Sequence, residues 1–190
     1  MLSKSQISFL TSLQLKKQRK EHGLFLVEGL KSVAEFIKSD YQIETIYYTP
    51  AILSKLDKIS GKIKLEEVKP EELLKISALN TPQDVLAIVR IPEEQKISTK
   101  CLKGNYSLVL DGIQDPGNLG TIIRTADWFG FTQVICSNDT VEAYNPKVVQ
   151  ASMGSLARIK LHYTDLVSFL DEHKLSTYVT ALDGSSIYEV

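Results

Sequence analysis

The chain has 190 residues and a mass of 21.3 kDa, with 43% hydrophobic and 24% charged positions. That is the composition of a globular chain with one ordinary domain or two small ones, and it excludes a disordered polyelectrolyte. Lys and Arg total 22 against 23 Asp and Glu, a formal charge of −1, yet residues 1–20 carry Lys4, Lys16, Lys17, Arg19 and Lys20 and no acid, so the charge is polarised toward the N-terminus.

In chain order, Ile7, Leu10, Leu13 and Leu15 fall near helical spacing and lead into the basic cluster before Gly23, which predicts an amphipathic helix running into a positively charged loop. "LFLV" (24–27) reads as a buried strand, and Leu30, Val33, Ala34 and Ile37 share one face of a following helix. The alternation continues with a strand in "IETIYYT", a short helix in "AILSKLDKIS" and a strand in "KIKLEEV". A helix opened by Pro70 in "PEELLKIS" and a strand in "DVLAIVRI" complete it. Such an order predicts a parallel or mixed sheet covered on both faces.

Residues 92–105, "PEEQKISTKCLKGN", are polar without an apolar period and read as a linker between domains 1–91 and 106–190. A second alternation follows: strand "YSLVLD", helix "NLGTIIRTADWFG", strand "TQVICS", helical material in "NPKVVQASMGSLA", helix "DLVSFLDEHK" and strand "TYVTALD". The fold class expected is α/β with a doubly wound second half.

Cys101 and Cys136 have no His or Cys spaced to complete a zinc site, and a chain of this length needs no disulfide, which reads as a reducing compartment. The N-terminus has no uninterrupted apolar stretch, and no later one approaches the roughly 18 residues of a membrane span. The expectation is a cytoplasmic chain with no membrane partner.

The segment richest in chemistry is "LVLDGIQDPGNLGTIIRTADWFG", residues 108–130. A strand ends at Asp111, a turn of Gly, Asp, Pro and Asn follows, and a helix starts near Asn118, the place where open α/β sheets bind ligands. Gly112, Gly117 and Gly120 allow backbone to approach a ligand, and the helix start offers free N–H groups. Asn118 reads either as a plain N-cap or as a site residue. Arg124, about 240° further around the helix, reads either as a solvated charge beside Asp127 or as a catalytic group. The glycine spacing matches neither the dinucleotide fingerprint nor the P-loop, which sets a nucleotide-dependent oxidoreductase aside.

The string "DGIQDPGNLGTIIRTADWFG" resembles the first signature of the SpoU or TrmH-type RNA ribose 2′-O-methyltransferases of the SPOUT superfamily. "FLVEGLKSVAEFI" is similar to the start of that family's L30e-like substrate-binding domain, and "VVQASMGSLARIKL" to the small-residue segment that follows the second strand of its catalytic domain. The resemblance implies an N-terminal L30e-like α/β domain followed by a SPOUT-type domain, Rossmann-like and normally trefoil-knotted. It also implies methyl transfer from S-adenosyl-L-methionine to a ribose 2′-OH of rRNA or tRNA, and a homodimer. It assigns activation of the hydroxyl to Arg124 and holding of the site to Asn118. A guanidinium stays protonated, so Arg124 is expected to stabilise developing charge and assist a phosphate rather than act as a simple base.

The same resemblance places Thr180, Ala181, Leu182, Asp183 and Gly184 at the cofactor. The basic cluster Lys16, Lys17, Arg19, Lys20 and His22 is expected to meet RNA phosphates, with Lys147 and Arg158 as further candidates. Glu28, beside Gly29, is expected to cap the next helix. Tyr41, Tyr47 and Tyr48 read as packing residues, and His22, His162 and His173 form no metal or nucleophile constellation. The family's glycine-rich loop and Ser-Leu-Asn-Val signatures are not found in these 190 residues. The expectation is thus an incomplete catalytic domain without a knot and with weak or absent cofactor binding. The alternative is a non-catalytic RNA-binding protein.

Overall fold

A computed structural model describes residues 1–56, 63–93, 97, 102, 106–174, 176–181, 183–186 and 188. Two helices open the chain, α1 (Lys4–Ser12) and α2 (Lys16–His22). Ser3 caps α1 in a reciprocal capping box with Gln6, and Gly23 ends α2 in the left-handed region at φ 63°. The basic cluster is therefore helical rather than the expected loop.

The first sheet comprises β1 (Leu24–Glu28), β2 (Ile43–Tyr48), β3 (Leu65–Glu67) and β4 (Val85–Arg90), in the order β1-β4-β2-β3. β4 runs antiparallel to both β1 and β2, while β2 and β3 are parallel, so the sheet is mixed as expected. Being central, β4 buries both faces, and its side chains divide by alternation. Leu86 and Ile88 join Leu10, Leu13, Leu73 and Ile76 under α1 and α5 (Pro70–Ile76). Val85, Ala87 and Val89 face the other way, toward α3 (Leu30–Ile37) and the second half of the chain. The predicted helix after β2 is a 3₁₀ turn, Pro50–Ile52, running into α4 (Leu53–Leu56). Its expected continuation at 57–60, and residue 62 of the next expected strand, lie outside the described residues.

The second sheet is wholly parallel, β5 (Leu108–Leu110), β6 (Gln133–Ser137) and β7 (Lys160–Thr164), in that order. Helix α6 (Pro116–Trp128) and α7 (Pro146–Ala151) cover one face, and α8 (Leu166–His173) covers the other. Strand β7 is absent from the sequence expectation, although Ile159, Leu161 and Tyr163 alternate with polar residues there. Conversely, no strand forms among the described residues of the stretch 177–183 where one was expected: residues 176–181 are exposed and join no ladder, and residue 182 lies outside the described residues. Strand propensity in Tyr178 and Val179 without a neighbour to pair with leaves backbone groups to water.

Leu119, Ile123, Val148 and Val149 of α6 and α7 belong to the same core cluster as Phe25, Val27 and Val89 of the first sheet, so the two halves share one interior. An aromatic group fastens the seam. The Tyr144 ring lies 4.6 Å from Phe25, which also meets Phe36 and Tyr41 edge-on, pairs worth about 0.5–1.5 kcal/mol each beyond their area. Most of the expected linker, Cys101 included, lies outside the described residues, but Leu102 is buried against Ile135 and Phe169 and Ile97 packs beside them. Both therefore seat on the outer face of the second sheet. No helix among the described residues is long and apolar enough to cross a membrane.

Candidate active site

The turn between β5 and α6 is fixed to the loop after β6. The Gly112 N–H donates to Ser137 Oγ at 2.8 Å and the Ile113 N–H to Thr140 Oγ1 at 3.2 Å, and the two hydroxyls lie 3.0 Å apart. The Val141 N–H returns to the Ile113 carbonyl at 2.8 Å. Gly112 sits at φ 63°, which permits the reversal. These bonds build a rigid shelf at the carboxyl ends of β5 and β6.

Helix α6 starts earlier than its sequence suggested. Asp115, not Asn118, is the N-cap: its Oδ1 accepts from the Asn118 N–H at 2.7 Å, and Pro116 fills the first turn. Asn118 is thus freed from capping, and its exposed side-chain amide has no partner among the described residues. Gly120 does not open the backbone to a ligand as expected. A Cβ there would lie 2.4 Å from Ala151 Cβ and 2.9 Å from the Val148 carbonyl, so this glycine lets α6 and α7 touch.

Leu119, Gly120, Ile123 and Ala126 are buried, while Asn118, Thr121, Arg124, Thr125 and Trp128 are exposed. Asn118 and Arg124 are therefore the two borders of one solvent-facing arc, about 120° apart by the shorter way round. The Thr121 and Thr125 hydroxyls between them are already spent on the carbonyls one turn back, at 2.9 Å each. Arg124 is not paired with Asp127. Its Nη1 donates to Met153 Sδ at 3.0 Å, and no carboxylate among the described residues forms an ion pair with it. Met153 holds that position from a left-handed backbone at φ 51°, with Gly154 following at φ 93°.

Asp127 belongs to Arg158. The guanidinium of Arg158 donates to Asp127 at 2.6, 3.0 and 3.1 Å and also to Glu35 of α3. The Arg158 hydrogen bonds hold the Asp127 carboxyl below the usual aspartate range, and Asp127 raises the Arg158 pKa in turn. Arg158, a sequence candidate for RNA contact, is thus a clamp between the halves.

Arg19 departs furthest from expectation. It is 2% exposed, pairs with Glu142, and donates through Nη1 to the Leu13 and Gln14 carbonyls at 3.0 and 2.7 Å, so it is turned into the protein and away from solvent. Lys16, Lys17, Lys20 and His22 are exposed on α2, with His22 edge-on to Phe9 at 5.1 Å and its Nε2 3.3 Å from Gln18 Oε1. Lys147 is exposed at the start of α7. Glu28 does not cap α3; it accepts from the Ala78 N–H at 2.8 Å and from the Ser77 hydroxyl at 2.5 Å, and burial pushes its carboxyl up. Tyr41, Tyr47 and Tyr48 pack as expected.

Of the residues assigned to the cofactor, Thr180, Ala181, Asp183 and Gly184 are exposed, and Leu182 lies outside the described residues. The described members join no ladder.

Two open hollows adjoin at Arg158. One, of about 530 Å³, is lined by Leu30, Lys31, Ala34, Glu35, Lys55, Met153 and Arg158. The other, of about 610 Å³, runs along Arg124, Thr125, Asp127, Trp128, Phe129 and Ser155. Lys31, Lys55 and Met153 escape sequence reasoning because they meet only through the contact between the halves, although Met153 lies within the small-residue segment 148–161.

Residues 4–87 match the model of the MRM3-like substrate binding domain, and residues 105–190 match that of the SpoU rRNA Methylase family. The chain is 32% identical over 180 residues to the 23S rRNA (guanosine(2553)-2′-O)-methyltransferase of Bacillus subtilis, covering 93% of this chain and 70% of that protein. It is 31% identical over 185 residues to the mitochondrial rRNA methyltransferase 3 of Xenopus tropicalis, covering 94% of this chain and 43% of that one. Among solved structures, a putative RNA methyltransferase of the TrmH family from Porphyromonas gingivalis superposes with a TM-score of 0.88 at 36% identity, covering all of this chain and 75% of that one. The AdoMet-bound rRNA methyltransferase of Sinorhizobium meliloti superposes with a TM-score of 0.75 at 28% identity, over 92% of this chain and 67% of that one.

Proposed function

Since the chain belongs to the SpoU rRNA methylase family, we propose that it transfers a methyl group from S-adenosylmethionine to a ribose 2′-OH of ribosomal RNA, in the cytoplasm and as a homodimer. The observation that carries the reading is Arg124: an exposed guanidinium without a carboxylate partner among the described residues, held by Met153 on the helix that follows the strand-end shelf.

S-adenosylmethionine supplies an electrophilic methyl on a sulfonium centre. The chain's own residues act on the acceptor. A 2′-OH becomes a competent nucleophile as its proton leaves, and negative charge grows on the oxygen. Arg124, with five donors and a permanent charge, steadies that oxygen and orients an adjacent phosphate to take the proton. Asn118, on the opposite border of the arc, offers both an amide donor and an acceptor for the ribose. The proposal leaves the donor with Thr180, Ala181, Leu182, Asp183 and Gly184 by resemblance, and no step of the acceptor chemistry passes through them. Lys16, Lys17, Lys20 and His22 provide phosphate contacts from the N-terminal domain, 1–91, ahead of the methyltransferase domain, 106–190. Arg19 anchors their helix. Trp128 at 86% and Phe129 at 72% exposure form an apolar end of α6 suited to a second copy.

The test is transfer of labelled methyl from S-adenosylmethionine to ribosomal RNA by the purified chain, followed by nucleoside mass spectrometry. The expected product carries the label on ribose and disappears with Arg124→Ala. Label on a base, or none, overturns the reading.

A further inference from the structure

We propose that the groove between α3, α4 and the Met153 loop is the track along which the RNA backbone reaches Arg124, with Lys31 and Lys55 as its phosphate contacts; the inference rests on the function proposed above. Lys31 and Lys55 come from different helices of the first half and line one hollow with Met153 and Arg158 of the second. Both ammonium groups are exposed, and neither has a carboxylate partner among the described residues.

The groove contains one acid, Glu35, whose carboxylate is held by Arg158, a guanidinium it shares with Asp127. Uncompensated, that carboxylate would repel phosphate beside Lys31. Arg158 sets one positive charge against the two carboxylates, so with Lys31 and Lys55 the group keeps a positive balance, and the cations free of carboxylate partners that face an incoming strand are the two lysines. Met153 is the point of continuity: it lines this groove and also accepts from Arg124, so the track ends at the proposed catalytic guanidinium. A polyanion is the occupant this charge pattern fits, and contacts to its backbone position without reading sequence.

The experiment uses the full chain and a fluorescent RNA stem-loop of arbitrary sequence, titrated by anisotropy at graded salt, together with methyl-transfer kinetics on ribosomal RNA. Each phosphate contact contributes about 0.7–0.9 to the slope of log affinity against log salt. Lys31→Glu with Lys55→Glu is expected to weaken binding by tenfold or more, to reduce that slope by about 1.5, and to raise KM for RNA with kcat retained, at an unchanged melting temperature. Unchanged affinity, slope and KM in a folded double variant overturns the track while leaving the methyltransferase reading intact. Failure of the unsubstituted chain to bind RNA overturns both. Ribose methylation by a double variant of normal KM overturns the track alone.

Discussion

Arg19 of α2 and Glu142 of the loop after β6 form an ion pair across 123 positions of sequence, with the arginine side chain only 2% exposed. The same guanidinium satisfies the Leu13 and Gln14 carbonyls, so one side chain ties the bend between α1 and α2 to the second half of the molecule. Removing one partner of a buried pair leaves the other uncompensated, so Arg19→Ala is expected to cost about 3 kcal/mol. Arg19→Lys recovers only part of this, because a single ammonium cannot reach acceptors on three sides in the guanidinium's fixed fork. Urea denaturation of the two variants checks this. A stability loss under about 0.5 kcal/mol for Arg19→Ala, the value for an ordinary surface position, would return Arg19 to the solvent-facing cluster.

The contact of α6 with α7 rests on Gly120. An alanine Cβ would stand 2.4 Å from Ala151 Cβ and 2.9 Å from a carbonyl oxygen, far inside van der Waals contact, and overpacking of this kind costs about 1–3 kcal/mol. Gly120→Ala is expected to lower the melting temperature and to displace Arg124, one turn along the same helix. Ala151→Gly in the same chain removes the nearer clash and restores part of the stability; the Val148 carbonyl remains. Equal melting temperatures for the single and double variants would show that Ala151 is not the obstacle.

Much of the architecture is legible in the sequence because local signals and packing agree. The apolar run Val85–Val89 has the length and composition of a strand buried on both faces, and it is the central β4. Where the reading went astray, a partner distant in sequence decided. Arg19 looks like its basic neighbours until Glu142 arrives from the other half. Tyr178 and Val179 carry strand propensity but gain no adjoining strand. Strand β7 carries the alternation of Leu161 and Tyr163, but its start lies inside the small-residue segment 148–161, whose composition masks the strand signal. At the site, the helix carrying Arg124 is legible from residue types, but those leave Arg124 open between a solvated charge and a catalytic group, and the family resemblance is what assigns it a role. That Asp115 rather than Asn118 caps α6 was signalled by the Asp-Pro pair, but the attachment of Arg124 to Met153 depends on a left-handed turn that a methionine gives no local reason to expect.

The Arg158 clamp gives the fold an acid-sensitive element. Asp127 has a lower pKa folded than unfolded, chiefly through its hydrogen bonds from Arg158. Its contribution is therefore fully present above the unfolded value of about 3.9 and is lost as pH falls through the lower folded value. Thermal melts recorded from about pH 6 down to about pH 2 should show an acid limb that is shallower in Asp127→Asn. Because Arg158 is 46% exposed, solvent screening limits the effect near neutral pH to under about 1 kcal/mol. Superimposable acid limbs for the two proteins would remove Asp127 from the set of groups that stabilise the fold.

Met153 places a side chain in a backbone region that disfavours it. The left-handed conformation costs a residue with a Cβ about 1–2 kcal/mol, which glycine would relieve, while the extra chain entropy of glycine costs about 0.5–1 kcal/mol. Met153→Gly is thus expected to stabilise the fold by about 0–1.5 kcal/mol. Activity should move the other way. Without the sulfur, Arg124 loses its only hydrogen-bond partner among the described residues, and a guanidinium free to rotate in water spends less time where a ribose oxygen would need it. Turnover is expected to fall more than the affinity for a stem-loop RNA, which the Lys31 and Lys55 phosphate contacts largely set. Methyl-transfer rates alongside denaturation curves separate the two effects: a folded Met153→Gly protein with full turnover would show that Arg124 finds its position without the methionine.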